Sequence, residues 1–320
     1  MQRRRLGRTG LEVSEVGYGG WGIGRAQWIG AEDEESIAAL ERAIDLGLNF
    51  VDTARSYGDG HSERLVGRVA RERDERVYVA TKVPPKVLPA DRGSRAEEVF
   101  PGDHVRRSTE ESLSHLGLEA LDVQQLHTWQ DHWIGQGDWL ETVEELKREG
   151  KIRAFGVSIN DNEPETALHA VREGIVDTVQ VIFNIFEQSP LDELFPTCRE
   201  HDVGVIARVA LDEGGLTGTI TADTEFPEGD FRREYFAGDR RRQTQERVNA
   251  ICADLGIEPS QMAETALRFV LSEPAVSTVI PGMRSVRNVE RNIAVGDGRG
   301  LPAEQIEKLR GHRWERNFYD

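Results

Sequence analysis

The feature that most constrains the fold is a repeated alternation of short runs rich in Val and Ile with amphipathic stretches. Eight such runs occur, and the segments between them carry apolar residues at the three-and-four spacing of a helix. Strands that alternate with helices predict parallel βαβ units, and eight units favour a closed barrel over an open sheet. We therefore predict the α/β class and a (β/α)8 TIM barrel. The candidate strands span residues 13–19, 49–54, 77–83, 121–127, 152–159, 178–184, 203–210 and 276–282.

The domain organisation follows from the absence of any linker-like change in composition. Residues 1–320 are predicted to form a single domain, with an N-terminal β-hairpin and extra C-terminal helices after the last strand. Residues 212–240 are rich in Gly, Asp and Thr, which predicts a long loop near the barrel mouth. The polar and aromatic tail, residues 311–320, either packs over the mouth or frays.

Charge and cysteine content exclude several classes of protein. The chain has 40 basic and 57 acidic residues and a net charge of −17, which argues against a nucleic-acid or membrane-surface partner. Two cysteines are too few for a disulfide scaffold, so we expect a reducing, cytoplasmic setting. The sequence contains no run of about 18 apolar residues, so we predict no membrane span. The oligomeric state is left open.

Four chemically active side chains lie where a barrel places its active site, at the carboxyl ends of strands. Asp52, Lys82 and His127 end the second, third and fourth candidate strands, and Tyr57 follows in the loop after Asp52. A buried Lys82 requires a counter-ion, and Asp52 is the nearest candidate. The ammonium of Lys82 is expected to lower the pKa of Tyr57, making it a proton donor, while His127 orients a carbonyl oxygen. This arrangement suits protonation of an alkoxide during hydride transfer.

Each of these residues also has a purely structural interpretation. Asp52 could be a cap, Lys82 a counter-charge, Tyr57 a loop aromatic and His127 a hydrogen-bonded barrel residue, but their joint placement favours a site. A metal-dependent barrel hydrolase is the competing enzyme class, and it needs several ligands around one open position. Only Asp52 and His127 qualify clearly, so we predict no metal.

The motifs around these residues resemble the aldo-keto reductases, in order and over nearly the whole chain. They read NFVDTARSYGDGHSERLVG, VYVATKV, QQLH, IRAFGVSI, GVIARVALDEGGLTG and VSTVIPGMRSVRNVERNI. The resemblance implies interconversion of a small-molecule carbonyl and its alcohol, with NADPH as cofactor and NAD as the alternative. Asp52, Tyr57, Lys82 and His127 match the catalytic tetrad of that family. A relative serving as an NADP-binding regulatory subunit, like channel β subunits, is the second functional hypothesis.

The resemblance also implies cofactor contacts. Arg208 stands where the family often has a nicotinamide-stacking Tyr or Trp, and Gly282 where many members carry Lys, so Arg284 is the candidate for a 2′-phosphate contact. The implied cofactor-binding residues are Gly20, Trp21, Asp52, Ser158, Gln180, Arg208, Leu211, Gly215, Thr217, Gly282, Met283, Arg284, Asn288 and Asn292.

Aromatic residues predict the substrate wall, although they do not identify the substrate. We expect substrate contacts from Trp21, Tyr57, His127 and Trp129, in a pocket that would suit a sugar face or an aryl aldehyde. The tryptophans at positions 129, 133 and 139 have two other interpretations, as core residues or as a partner surface.

Overall fold

A closed parallel barrel forms the centre of the molecule. The computed structural model describes residues 1–25 and 27–319. Each barrel strand runs parallel to the next in chain order, and bridges between Val16 and Val279 and between Gly19 and Gly282 join the first strand to the last. This arrangement confirms the predicted TIM barrel. Its strands are β3 (Tyr18–Gly19), β4 (Phe50–Asp52), β5 (Tyr78–Val83), β6 (Leu121–Leu126), β7 (Ile152–Ser158), β8 (Thr178–Ile182), β9 (Gly204–Arg208) and β10 (Val276–Val279).

Helices surround this barrel, and a hairpin precedes it. The hairpin pairs β1 (Arg3–Arg5) with β2 (Glu12–Ser14) in antiparallel fashion. The helices are α1 (Asp33–Asp45), α2 (His61–Glu72), α3 (Ala96–Val99), α4 (Gly102–Leu116), α5 (Trp139–Arg148), α6 (Leu168–Arg172), α7 (Leu194–Glu200), α8 (Arg232–Tyr235), α9 (Arg240–Leu255), α10 (Met262–Leu271), α11 (Val286–Ile293) and α12 (Ala303–Arg310).

The amino-terminal end of the barrel is filled with apolar side chains. Leu6 and Val13 of the hairpin region form one apolar cluster there with side chains of the barrel strands, which include Phe50, Val123 and Ile206. All five side chains are fully buried. Because apolar side chains close this end, polar side chains inside the barrel have access only to the opposite end, the mouth, where the strands terminate.

Two segments differ from their predicted structure. The predicted strand 13–19 is divided between β2 and β3, and the Asn49 side chain accepts a hydrogen bond from the Ser14 amide at 2.6 Å where the chain leaves the hairpin. The predicted loop 212–240 contains a 3-10 segment, Asp212–Thr217, and α8.

The C-terminal tail packs against the barrel as far as residue 319; residue 320 lies outside the described part. Phe318 is buried, and its ring lies 5.4 Å from that of Tyr235 and 5.3 Å from that of Trp314. These contacts bring the tail back over the segment that follows β9. Along residues 1–25 and 27–319, no helix is long and apolar enough to cross a membrane.

Candidate active site

A buried ion pair lies at the centre of the site. Lys82, in β5, is fully buried, and its Nζ donates hydrogen bonds to Asp52 Oδ2 at 2.6 Å and to the Thr53 carbonyl at 2.8 Å. The same Nζ lies 3.4 Å from the hydroxyl oxygen of Tyr57. Strands β4 and β5 are adjacent in the barrel, so these side chains meet although they are separated in sequence. The structure brings together the three residues as the sequence motifs predicted.

The second oxygen of Asp52 binds two glutamine side chains. Gln180 Nε2 donates to Oδ1 at 2.7 Å, and Gln125 Nε2 donates to it at 3.3 Å. Sequence reasoning missed Gln125, although its place two residues before His127 and beside Lys82 in the strand register was a usable signal. With Lys82 on its other oxygen, the buried carboxylate of Asp52 is hydrogen-bonded on both sides, which offsets the cost of burying the charge.

Burial and neighbouring charges shift the pKa values of Lys82 and Tyr57 in opposite directions. Burial acts to lower the pKa of Lys82, but the Asp52 carboxylate and Tyr57 together outweigh it and leave that pKa above its ordinary value. For Tyr57, burial raises the pKa above 10.0, and the Lys82 ammonium only partly opposes this effect. The expected net lowering of the Tyr57 pKa is therefore wrong, because loss of hydration outweighs the nearby cation.

His127 follows directly after β6 and faces the tyrosine. Its backbone N–H donates to the Val83 carbonyl at 2.9 Å, and its ring lies 5.6 Å from the Tyr57 ring at an interplanar angle of 74°. Burial, with Lys82 and Arg208 nearby, holds the pKa of His127 well below 6.5. The imidazole is thus neutral at physiological pH and able to donate one hydrogen bond. Its Nδ1 lies 3.2 Å from the Ser56 hydroxyl.

Four aromatic rings form one wall of the mouth. The Trp21 ring lies 6.4 Å from Tyr57, 5.7 Å from Trp28 and 5.2 Å from Phe231. Gly20, just before Trp21, donates its N–H to the Asp52 carbonyl at 2.8 Å. A Cβ at this glycine would lie only 2.8 Å from the same carbonyl oxygen, so the close approach of the first loop to β4 requires glycine.

Trp129 does not belong to this wall. Its side chain is fully buried, with ring centroids 6.0 Å from Trp133 and 5.4 Å from Trp139, and its Nε1 donates to Asp131 at 3.1 Å. Trp133 and Trp139 are also buried. The structure contradicts the predicted substrate contact of Trp129, because edge-to-face packing in the core leaves its indole no surface at the mouth.

Ser158, the last residue of β7, lies beside Gln180 in the middle of β8. They are register partners on adjacent strands and therefore share one face of the barrel wall. The Gln180 side chain points to Asp52, which places this face toward the interior. A hydroxyl and an amide side by side near Asp52 offer the donor and acceptor pattern that a carboxamide binds.

Arg208 ends β9 and keeps its charge at the mouth. Its Nη2 donates to Asp161 at 2.6 Å and to the Ile159 carbonyl at 3.0 Å. Burial acts to lower the pKa of Arg208, but Asp161, Tyr319 and Tyr57 together outweigh it and raise that pKa. Among the described residues its buried Nε has no hydrogen-bond partner. A planar guanidinium fixed on one edge is compatible with the predicted stacking role.

The segment after β9 carries Leu211, Gly215 and Thr217, three of the predicted cofactor residues. It turns sharply, with positive φ at Gly214, and a Cβ at Gly215 would lie 2.5 Å from Asp212 Oδ2. The Thr217 hydroxyl donates to the Gly214 carbonyl at 2.6 Å. A tight glycine-containing turn of this kind presents backbone amides to an anion.

The same segment anchors the C-terminal tail, which sequence reasoning did not foresee. Arg316 forms an ion pair with Asp212, and the Tyr319 hydroxyl donates to Glu213 Oε1 at 2.7 Å. Burial raises the pKa of Glu213 to about 7, although the hydrogen bond from Tyr319 acts against this. The tail therefore contacts the predicted pyrophosphate turn directly.

The predicted adenosine end lies between β10 and α11. A Cβ at Gly282 would enter open space, the Met283 side chain is fully buried, and Arg284 Nη1 donates to the Ile29 carbonyl at 3.0 Å. Ser285 caps α11 by accepting a hydrogen bond from the Asn288 amide, while Asn292 is buried. Met283 as a whole residue is 0% exposed, so in this structure it offers a ligand no accessible surface.

Comparisons with known proteins agree with this geometry. A family profile described as the aldo/keto reductase family matches residues 15–313. A curated relative named uncharacterized oxidoreductase YqkF, from Bacillus subtilis, is 30% identical over 318 residues, covering 98% of this chain and 96% of its own.

Two solved structures are similar across nearly the whole chain. The glycerol dehydrogenase AKR11B4 from Gluconobacter oxydans has a TM-score of 0.78 at 28% identity and covers 97% of this chain and 94% of its own. An aldo/keto reductase from Klebsiella pneumoniae, in complex with NADP and acetate, has a TM-score of 0.68 at 25% identity, with coverage of 99% and 98%. In the described part of this chain, no three His, Cys, Asp or Glu residues come together as a metal site.

Proposed function

Because the chain belongs to the aldo/keto reductase family, we propose that it interconverts a small carbonyl compound and its alcohol by hydride transfer with NADPH. The family membership confirms the resemblance seen in the sequence motifs and identifies an oxidoreductase. The single observation that carries the proposal is the contact of Lys82 Nζ with both Asp52 and the Tyr57 hydroxyl. It joins a proton donor to a buried cation, the pair that alkoxide protonation needs.

The protein residues perform the proton-transfer half of the reaction. Tyr57, protonated at neutral pH, donates its proton to the oxygen of the substrate carbonyl as negative charge develops there. Lys82 stabilises the resulting phenolate, and Asp52 holds the ammonium in place. His127 donates a hydrogen bond to the same substrate oxygen and so orients the carbonyl. When bound, the nicotinamide supplies the hydride to the carbonyl carbon.

The residues present suit a nicotinamide dinucleotide. Ser158 and Gln180 would hold the carboxamide, and the turn containing Gly215 would hold the pyrophosphate through backbone amides. Arg284, at the start of α11, would bind the 2′-phosphate, which favours NADPH over NADH. The NADP complex of the Klebsiella pneumoniae protein supports this proposal.

A substrate screen tests the function. The protein is mixed with NADPH or NADH and with aldehydes, ketones, sugars or alcohols, and cofactor oxidation or reduction is followed by absorbance. We expect reduction of at least one aldehyde, faster with NADPH. Tight NADPH binding without turnover on any compound would overturn the enzymatic proposal and favour a cofactor-binding subunit instead.

A further inference from the structure

Ser56 hydrogen-bonds the histidine of the site. Its Oγ lies 3.2 Å from His127 Nδ1, and along residues 1–25 and 27–319 the ring has no other hydrogen-bond partner. We propose that Ser56 is a positioning residue, whose hydroxyl donates to Nδ1 and thereby keeps the hydrogen of the neutral ring on Nε2. This inference rests on the proposed function, because it concerns the hydrogen that His127 offers to a substrate oxygen.

The chain fixes this contact from both sides. Ser56 comes directly before Tyr57 in the loop after β4, and His127 comes directly after β6. The His127 backbone is tied to Val83, and its ring meets the Tyr57 ring edge-on at 5.6 Å. Nδ1 is thus held toward Ser56, which leaves Nε2 as the ring nitrogen free to meet a substrate.

The direction of the Ser56–His127 hydrogen bond determines whether His127 can donate a hydrogen bond to a substrate. A neutral imidazole carries one hydrogen, so one nitrogen donates and the other accepts. A carboxylate or carbonyl at Nδ1 would place the hydrogen there, but the group observed is a hydroxyl, which can donate. A substrate carbonyl oxygen only accepts. Every group is therefore satisfied only when Ser56 donates to Nδ1 and Nε2 donates to the substrate, whereas the reverse order points two lone pairs at each other.

Ser56 is also a residue that can be changed without damage to the core, because its side chain is exposed at the rim of the mouth. Ser56→Ala removes only the hydroxyl, and Ser56→Thr keeps it. Ser94→Ala, in the loop after β5, is a matched control, because the Ser94 hydroxyl contacts the Asp91 carbonyl and not His127.

The tautomer is measured directly by NMR of protein labelled with 15N in its 8 histidines. His127→Gln identifies the His127 signals by their loss. We expect hydrogen on Nε2 in the wild type and in Ser56→Thr, and a mixture of tautomers in Ser56→Ala. Hydrogen on Nδ1 in the wild type, or the same tautomer populations in the wild type and Ser56→Ala, would overturn the inference.

Kinetics provide an independent test with NADPH and 4-nitrobenzaldehyde as the probe. We expect kcat of Ser56→Ala to fall about tenfold, which corresponds to one hydrogen bond of about 1.4 kcal/mol, with KM changing less than about twofold. Ser56→Thr should restore kcat, and Ser94→Ala should match the wild type. An unchanged kcat in Ser56→Ala would contradict the role of Ser56. No turnover by the wild type would count against the proposed function, while the NMR result would still decide the tautomer.

Discussion

Lys82 Nζ lies 3.4 Å from the hydroxyl oxygen of Tyr57, and this contact connects a buried ion pair to the proposed acid. Burial raises the pKa of Tyr57 and so keeps its proton in place at neutral pH. The Lys82 ammonium, held by Asp52 at 2.6 Å, stabilises Tyr57 after the tyrosine has given up its proton, because the ammonium then faces a phenolate.

Tyr57→Phe removes the proposed proton donor and keeps the ring. We expect turnover to fall by at least about two orders of magnitude, the usual contribution of general acid catalysis, while the Kd for NADPH stays nearly unchanged. Steady-state kinetics and a fluorescence titration measure the two quantities. Tyr78→Phe, at the start of β5, is the control. Retention of most activity would contradict the assignment of Tyr57.

Lys82→Met removes the cation beside Tyr57, so the pKa of the tyrosine should rise further. Reduction requires protonated Tyr57, and therefore the alkaline limb of the kcat profile should move to higher pH while kcat falls. A pH profile tests this, with Lys86→Met, in the exposed loop after β5, as control. An alkaline limb at the wild-type position would show that Lys82 does not act on Tyr57.

Arg284→Ala tests the choice of cofactor. Its guanidinium, beside the first turn of α11, is the proposed contact for the 2′-phosphate, so NADPH binding should weaken by roughly 1.5–3 kcal/mol and NADH binding should change little. Calorimetric titrations at low and high salt measure both affinities. Arg291→Ala, in the last turn of the same helix, should have little effect. Equal losses for the two cofactors would rule out recognition of the 2′-phosphate by Arg284.

Glu213→Gln tests the buried carboxyl under the tail. Burial raises the pKa of Glu213 from 4.5 to about 7, so the folded protein binds this proton more tightly than the unfolded chain does. The stabilisation from this group is present below pH 4.5 and declines as the pH rises to about 7. The free energy of unfolding of the variant, relative to wild type, should therefore increase over that window by up to roughly 3 kcal/mol.

Urea denaturation at several pH values measures this difference. The exposed Glu228→Gln, in the segment between β9 and α8, provides the control and should show no such trend. A constant difference between Glu213→Gln and wild type from pH 4.5 to 7 would show that Glu213 does not titrate in this window.

Arg316→Met tests how the tail is held. Asp212, its partner, is 2% exposed, so the substitution leaves a buried carboxylate without its cation and should cost about 3–5 kcal/mol of unfolding free energy. Arg313→Met breaks a second tail ion pair, but its partner Asp192 is 60% exposed, and we expect a loss within about 1 kcal/mol. Equal losses in thermal or urea unfolding would argue against the buried anchor.

Much of the fold and the centre of the site could be predicted from the chain itself. The alternation of strand and helix patterns fixes the barrel, because a parallel strand must be followed by a crossover that returns to the same end. The same rule places strand-ending residues at one mouth, which is why Asp52, Lys82 and His127 could be assigned before any contact was known.

Other features depend on contacts between segments that are far apart in sequence. Gln125 in β6 reaches Asp52 in β4, two strands away, and Trp129 is enclosed by two other indoles. Tyr319 meets a carboxyl more than one hundred residues away. The upward shift of the Tyr57 pKa also depends on such distant contacts. The hydroxyl loses hydration because of what packs around it, and not because of its neighbours in the chain.

The sequence by itself determined the barrel, the family and the order along the chain of the four proposed catalytic residues, since hydrophobic periodicity and motif spacing are local properties. Only the tertiary structure decided which tryptophans face the mouth, which residues complete the hydrogen bonds of Asp52 and His127, and where the tail lies. Burial and hydrogen-bond geometry are properties of the packed interior, where one side chain's surroundings come from many strands and loops at once.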